Sequence, residues 1–137
     1  MSDTSRDPTL LEPQLRRVWE LASDEYTSRF EEQVFLTCTY RGPVDQAAAF
    51  AAGRSRARYG ESLHNFRPAY AFDVAFLRTD GSVDWSPAPF ARFAEITKRY
   101  GLEWGGDWPG LIDGPHHQLP MTVADARAGR VPRLPAI

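Results

Sequence analysis

Three short segments hold nearly every side chain able to do chemistry. They are Ser62-Leu63-His64-Asn65, Ala71-Phe72-Asp73-Val74 and Asp113-Gly114-Pro115-His116-His117-Gln118. The chain has three histidines, His64, His116 and His117, and a single cysteine, Cys38. A cysteine-rich metal site is therefore excluded, and any metal must be held by histidine and carboxylate. A hydrolytic zinc site needs three nitrogen or oxygen ligands and one position left for water. Two histidines and one aspartate meet that requirement. His64 and Asp73 have Pro68 between them, so they do not share a helix. A loop running into a strand can turn both toward one point, with His116 or His117 arriving from a distant segment. Asp73 stands between apolar neighbours, where an unpaired carboxylate is costly. Asp113, three residues before His116, is placed to act as general base and then general acid beside a metal-activated water. Arg41, in a turn, is suited to polarise a substrate carbonyl or hold a substrate carboxylate.

These residues need elements to position them. From Leu10 to about Ser28 the apolar positions Leu11, Leu15, Val18, Trp19 and Leu21 follow a helical period, with Pro13 near the start. Residues 33–39 are β-branched and apolar and read as a strand that ends at Tyr40-Arg41-Gly42-Pro43. The alanine-rich run 44–58 reads as a helix with Gly53 near its end. Residues 70–77 read as a buried strand, followed by the Asp80-Gly81 hairpin signal and a short edge segment at 83–85. A helix is predicted over 90–100, stopped by Gly101, and the glycine- and tryptophan-rich stretch 102–112 reads as irregular. A last short strand is expected over 116–119, a short helix over 121–130, and an irregular tail after it. The order α-β-α-β-β-α-β favours a single α+β domain with a small, mostly antiparallel sheet flanked by helices. Residues 1–8 read as a flexible end and 9–137 as the domain.

Composition narrows the function classes. At 137 residues the chain is one domain, and 42% hydrophobic residues support a real core. A net charge of −2 argues against bulk nucleic-acid binding. No apolar run approaches a membrane span, and the start of the chain has no secretory-signal pattern. Cys38, among apolar strand residues, reads as an inert buried thiol.

In order and spacing, these segments resemble the VanY / D-alanyl-D-alanine carboxypeptidase-type zinc peptidases, nearest to the L-alanyl-D-glutamate endopeptidase branch of phage endolysins. The resemblance rests on Ser62-Leu63-His64 with Ala71-Phe72-Asp73, on Glu103-Trp104-Gly105-Gly106-Asp107-Trp108 and on Asp113-Gly114-Pro115-His116. Upstream, Thr39-Tyr40-Arg41, Gln46 and Gly53-Arg54-Ser55 fit the usual lead-in. The resemblance implies a hedgehog/D,D-peptidase-like fold and one zinc ion held by His64, Asp73 and His116. It implies Asp113 as catalytic acid/base and Arg41 as the electrophilic or substrate-positioning residue. Two departures stand out. The stretch from Asn65 to Phe72 is longer than the family's usual spacing, and His117 occupies a position that is commonly aromatic. The Pro-His step favours His116 over His117 as ligand. Ser62, Trp104, Trp108 and His117 are the expected substrate-side residues, although the Ser62 hydroxyl also reads as a loop hydrogen-bonder. Glu103 is a weaker rival to Asp113 as base.

The function implied is a zinc-dependent peptidoglycan endopeptidase cutting the L-Ala–D-Glu bond of the stem peptide. The alternatives are a D,D-carboxypeptidase or D-Ala-D-Ala dipeptidase on the same scaffold, or a non-catalytic wall-binding module. The expected partner is the stem peptide, with no nucleic acid, no membrane insertion and a monomeric state. Synthesis in a host cytoplasm, without a signal peptide, and action at the cell wall after release complete the expectation.

Overall fold

A computed structural model describes residues 1–135 of the chain. Its centre is a four-stranded sheet of order β1-β2-β4-β3, with every strand pair antiparallel. The strands are β1 (Gln33–Cys38), β2 (Ala71–Leu77), β3 (Glu103–Trp104) and β4 (His116–Gln118). The helices are α1 (Pro13–Arg29), α2 (Pro43–Ala51), α3 (Pro87–Arg99) and α4 (Val123–Ala128). The α+β expectation holds.

The alternation of β2 decides which face of the sheet does what. Phe72, Val74 and Phe76 point to one face and are fully buried. There they meet Leu15, Val18, Ala22 and Tyr26 of α1 and Phe90, Phe93 and Ile96 of α3. Aromatic edges interlock across this layer: Tyr26 lies 5.1 Å from Phe76, and Phe76 lies 4.8 Å from Phe90. Burying each such ring stabilises the fold by roughly 1.5–3 kcal/mol relative to exposure. Asp73 points to the opposite face, which this helical layer leaves uncovered. Pairing carries the assignment across the sheet, because Asp73 faces His116 and Phe72 faces His117 in the β2–β4 register. A bulge between Leu36 and Cys38 in β1 then sets Cys38 opposite Asp73.

Several expectations are corrected. The second helix ends at Ala51, seven residues short of the run predicted to 58, and Gly53 takes a left-handed φ of +74° just beyond it. Segment 83–85 forms only a bridge from Val83 to Leu77, so it adds no strand. The stretch 102–112, expected to be irregular, contains β3 and a 3-10 turn at Gly105–Asp107. The residues read as a loose N-terminal end are hydrogen-bonded to the body. Ser5 N donates to Tyr40 O at 2.8 Å, and the Asp3 carboxylate accepts from Val44 N and Asp45 N at the start of α2. The tail is also tied down, since Leu134 is buried and its amide donates to Gln14 Oε1 at 2.7 Å.

Candidate metal centre

Three elements bring the central atoms together. A one-turn 3-10 helix, Leu63–Asn65, carries His64. Ser62 caps it, its hydroxyl accepting from His64 N at 3.2 Å, while Asn65 Oδ1 accepts from Ser62 N at 3.1 Å. Arg41 N donates to His64 O at 2.8 Å and so fastens this turn to the end of β1. β2 supplies Asp73 and β4 supplies His116. The three donor atoms form a near-equilateral triangle. His64 Nε2 lies 3.1 Å from Asp73 Oδ1 and 3.2 Å from His116 Nδ1, and His116 Nδ1 lies 3.2 Å from Asp73 Oδ1.

The outer nitrogen of each ring fixes its tautomer. His64 Nδ1 sits 2.9 Å from the carbonyl oxygen of Thr39, which only accepts, so Nδ1 carries the proton and Nε2 is left as a lone pair. His116 Nε2 lies 2.8 Å from Gln118 Oε1, which leaves Nδ1 as the inward lone pair. Gln118 is held in that orientation by its amide, which donates to Met121 O at 3.4 Å. In these neutral tautomers two nitrogen lone pairs and a carboxylate oxygen converge. Such an arrangement calls for positive charge. Burial disfavours a charged His64 ring, yet the Asp73 carboxylate outweighs it and raises the His64 pKa well above the ordinary value, so a proton and a metal ion compete for Nε2. Donors about 2.0–2.1 Å from a tetrahedral zinc lie about 3.3 Å apart, so the observed triangle fits such an ion. Asp73, with Cys38 and His64 on one side and with Asp113 and His116 on the other, also joins two groups of atoms lying within 4.8 Å of one another. Cys38 faces the outer nitrogen of His64, its Sγ 3.5 Å from Nδ1.

The surroundings sort the remaining residues. Arg41 places its guanidinium 3.4 Å from Asp73 Oδ2, the carboxylate oxygen turned away from the histidines. Its other terminal nitrogen donates to Gln46 Oε1 at 3.2 Å. Asp113 is half-buried, with Oδ2 4.0 Å from His116 Nδ1. Burial, and then the charge of Asp73, raise its pKa above the usual carboxylate value. Trp108 lies over His116, ring centroids 4.9 Å apart, and lines the groove above the site, as Ser62 does.

Trp104 and His117, expected on the substrate side, do not line the groove above the site. Trp104 Nε1 donates to Gly114 O at 2.7 Å, and the ring leaves no room for a Cβ at Gly106. It braces the Asp113–His116 segment from behind and does not line that groove. Gly105 belongs to the same brace, because a Cβ there would come within 2.3 Å of Asp113 O. His117 is fully buried on the core face, stacked on Phe72 at 5.3 Å. Burial pushes its pKa down to about 3, so the ring is neutral. Three positioning groups have no role in the sequence reading: the Thr39 carbonyl, Gln118 and the fully buried Gln46. Gln46 was visible only as part of the lead-in that fits the resembled family, with no role attached, and Gln118 only as a polar residue beside the two histidines.

Comparison with known proteins bears on this geometry. The profile of a family described as D-alanyl-D-alanine carboxypeptidase matches residues 55–119, a span containing His64, Asp73, Asp113 and His116. The chain is 32% identical over 102 residues to the peptidoglycan L-alanyl-D-glutamate endopeptidase CwlK of Bacillus subtilis (strain 168), covering 63% of this chain and 60% of CwlK. The resemblance to the VanY-type peptidases is borne out. A second relative is the L-alanyl-D-glutamate peptidase of Listeria phage A118. It is 35% identical over 90 residues, covering 64% of this chain and 30% of the phage protein. The chain therefore spans less than two thirds of the length of either curated relative. The crystal structure of the Serratia marcescens L-Ala D-Glu endopeptidase ChiX has a similar fold, with a TM-score of 0.69 at 27% identity, over 96% of this chain and 95% of that one.

Proposed function

We propose that this chain is a zinc-dependent peptidoglycan endopeptidase that hydrolyses the L-Ala–D-Glu bond of the stem peptide. One observation carries the reading. Three donor atoms, from His64, Asp73 and His116, converge on the floor of a groove, with the carboxyl group of Asp113 beside them. His64, Asp73 and His116 would hold one zinc ion, which supplies a water of lowered pKa and polarisation of a bound carbonyl.

The chain's own groups supply the remaining chemistry. Asp113 takes the proton of the attacking water on Oδ2 and returns it to the departing amine nitrogen. Its raised pKa makes it the stronger base for the first step and a competent acid for the second. Arg41, held by Gln46 and Asp73, presents fixed positive charge where negative charge builds on the carbonyl oxygen. Thr39 O and Gln118 hold the imidazole planes so that no reorganisation accompanies the reaction. Trp108 forms a wall against the peptide, and Ser62 acts through the cap that sets His64. A monomer suffices, since one chain provides every group. The relative from Listeria phage A118 supports a lysin-type setting, with synthesis in a host cytoplasm and action at the wall.

The carboxypeptidase description of the matching family favours a second reading, release of a terminal D-Ala. Defined muropeptides separate the two. The expected products carry a new D-Glu amino terminus and a new L-Ala carboxyl terminus. Free D-Ala with the L-Ala–D-Glu bond intact replaces the first reading by the second. Asp113→Ala is expected to slow hydrolysis about 10²–10⁴-fold while zinc content, measured by elemental analysis, stays at one ion per chain. Full activity in the metal-free protein overturns both readings.

A further inference from the structure

The groove above the metal centre has a volume of about 1300 Å³, and one of its walls is cationic. Arg54 and Arg56 line it, and both are exposed. Among the described residues neither guanidinium has a hydrogen-bond or ion-pair partner, whereas the acidic side chains on the same groove are engaged. Asp45 accepts from the hydroxyls of Ser2 and Thr4, and Glu61 accepts from Arg58 N at 2.7 Å. Arg58 itself is taken up by the ring of Phe50, 4.8 Å away.

The backbone beneath the two arginines is fixed. Arg54 N and Ser55 N both donate to Ala49 O at the end of α2. Ser55 Oγ and Ala57 O both accept from the buried amide of Gln46, at 3.1 and 2.7 Å. The strap 54–57 therefore turns Ser55 and Ala57 inward and Arg54 and Arg56 outward. Arg56 reaches across to Gly110, where a Cβ would lie 3.2 Å from Nη1. Gln46 also holds Arg41, so the strap and the metal centre share one buried polar hub. Two guanidiniums without a partner among the described residues, carried on a fixed backbone at the groove, suit recognition of a carboxylate.

We infer that Arg54 and Arg56 form a carboxylate subsite for the leaving half of the stem peptide. The inference rests on the endopeptidase reading. D-Glu is linked onward through its side-chain carboxyl, so its α-carboxylate stays free beside the new amine, and the peptide ends in a further carboxylate. Both sources share one chemistry, and amidation tells them apart.

Three muropeptides test it: one with both carboxylates free, one with the D-Glu α-carboxylate amidated, and one with the terminal carboxylate amidated. The wild-type protein is expected to lose about 10-fold in kcat/KM, mostly through KM, on whichever amide removes the recognised charge. The double variant Arg54→Gln/Arg56→Gln is expected to treat all three alike, and Arg54→Lys/Arg56→Lys to recover part of the preference. Both side chains are exposed and have no partner among the described residues, so melting temperatures should match the wild type. Cleavage of all three peptides at equal rates by the wild type overturns the subsite and leaves the endopeptidase reading intact. A preference that survives the glutamine variant overturns it as well. Absence of L-Ala–D-Glu cleavage in every peptide defeats the endopeptidase reading, and the subsite falls with it.

Discussion

His116 and His117 are chain neighbours with opposite environments. His116 faces the groove, its outer nitrogen held by Gln118 and its inner nitrogen aimed at Asp73 and His64. His117 faces the core, where Phe72 stacks on it and Phe93 meets its edge at 5.1 Å. The Thr97 hydroxyl donates to Ala94 O and accepts from His117 Nδ1, 3.0 Å away, which leaves Nε2 as a buried atom without a partner. The strand pleat makes this division, and the β2–β4 register fixes its sign by setting Asp73 opposite His116. A slip of one residue would send His117 to the groove and His116 to the core. The chemistry of this pair is therefore set by strand pairing more than by residue type.

Removing each ring in turn tests that division, and the largest effect belongs to His116. His116→Ala is expected to abolish zinc retention after dialysis and hydrolysis with it, while far-ultraviolet circular dichroism stays at the wild-type level. Zinc retained at one ion per chain would mean that Cys38 or Asp113 completes the site and that the groove-facing histidine is dispensable. A smaller effect is expected one residue pair further out. Gln118→Leu removes the acceptor that fixes the His116 tautomer and should weaken zinc binding about 10–100-fold in a chelator competition. An unchanged affinity would show that pairing within β4 orients the ring without help from Gln118.

The same contrast explains what could be read from the sequence. Helix-period and strand-period patterns are dense in α1, β2 and α3, and those elements lie close to where the patterns put them. The residues that converge around Asp73 were visible as types and spacings because few residue types hold a metal. What stayed hidden was decided by pairing or close approach. β3 has two residues, too few to show a period, and it hides within glycines. Those glycines are there for space: Gly105 lets the Asp113 backbone approach, and Gly106 lies under the Trp104 ring. The two tryptophans of that stretch look equivalent in sequence, yet Trp104 braces the loop and Trp108 lines the groove. The bulge that turns Cys38 toward Asp73 leaves no mark on the apolar run 33–39. The carbonyl of Thr39 is invisible for a simpler reason, since every residue has one.

The smallest expected effect is the most exacting for the comparison. His117→Phe keeps the ring volume and the stacking on Phe72, and it removes the partnerless Nε2 atom. It also removes the bond to Thr97, whose hydroxyl keeps Ala94 O as an acceptor. One lost neutral hydrogen bond is set against relief of one buried unsatisfied atom, so stability should change by no more than about 1 kcal/mol. Denaturant melts measure that change, and zinc titration should return the wild-type affinity. A core histidine gives this result because its ring serves as an aromatic filler between Phe72 and Phe93. Loss of zinc binding in His117→Phe, with the fold intact, would mean that the neighbouring ring helps hold His116 in place, and the two faces of β4 would no longer be independent.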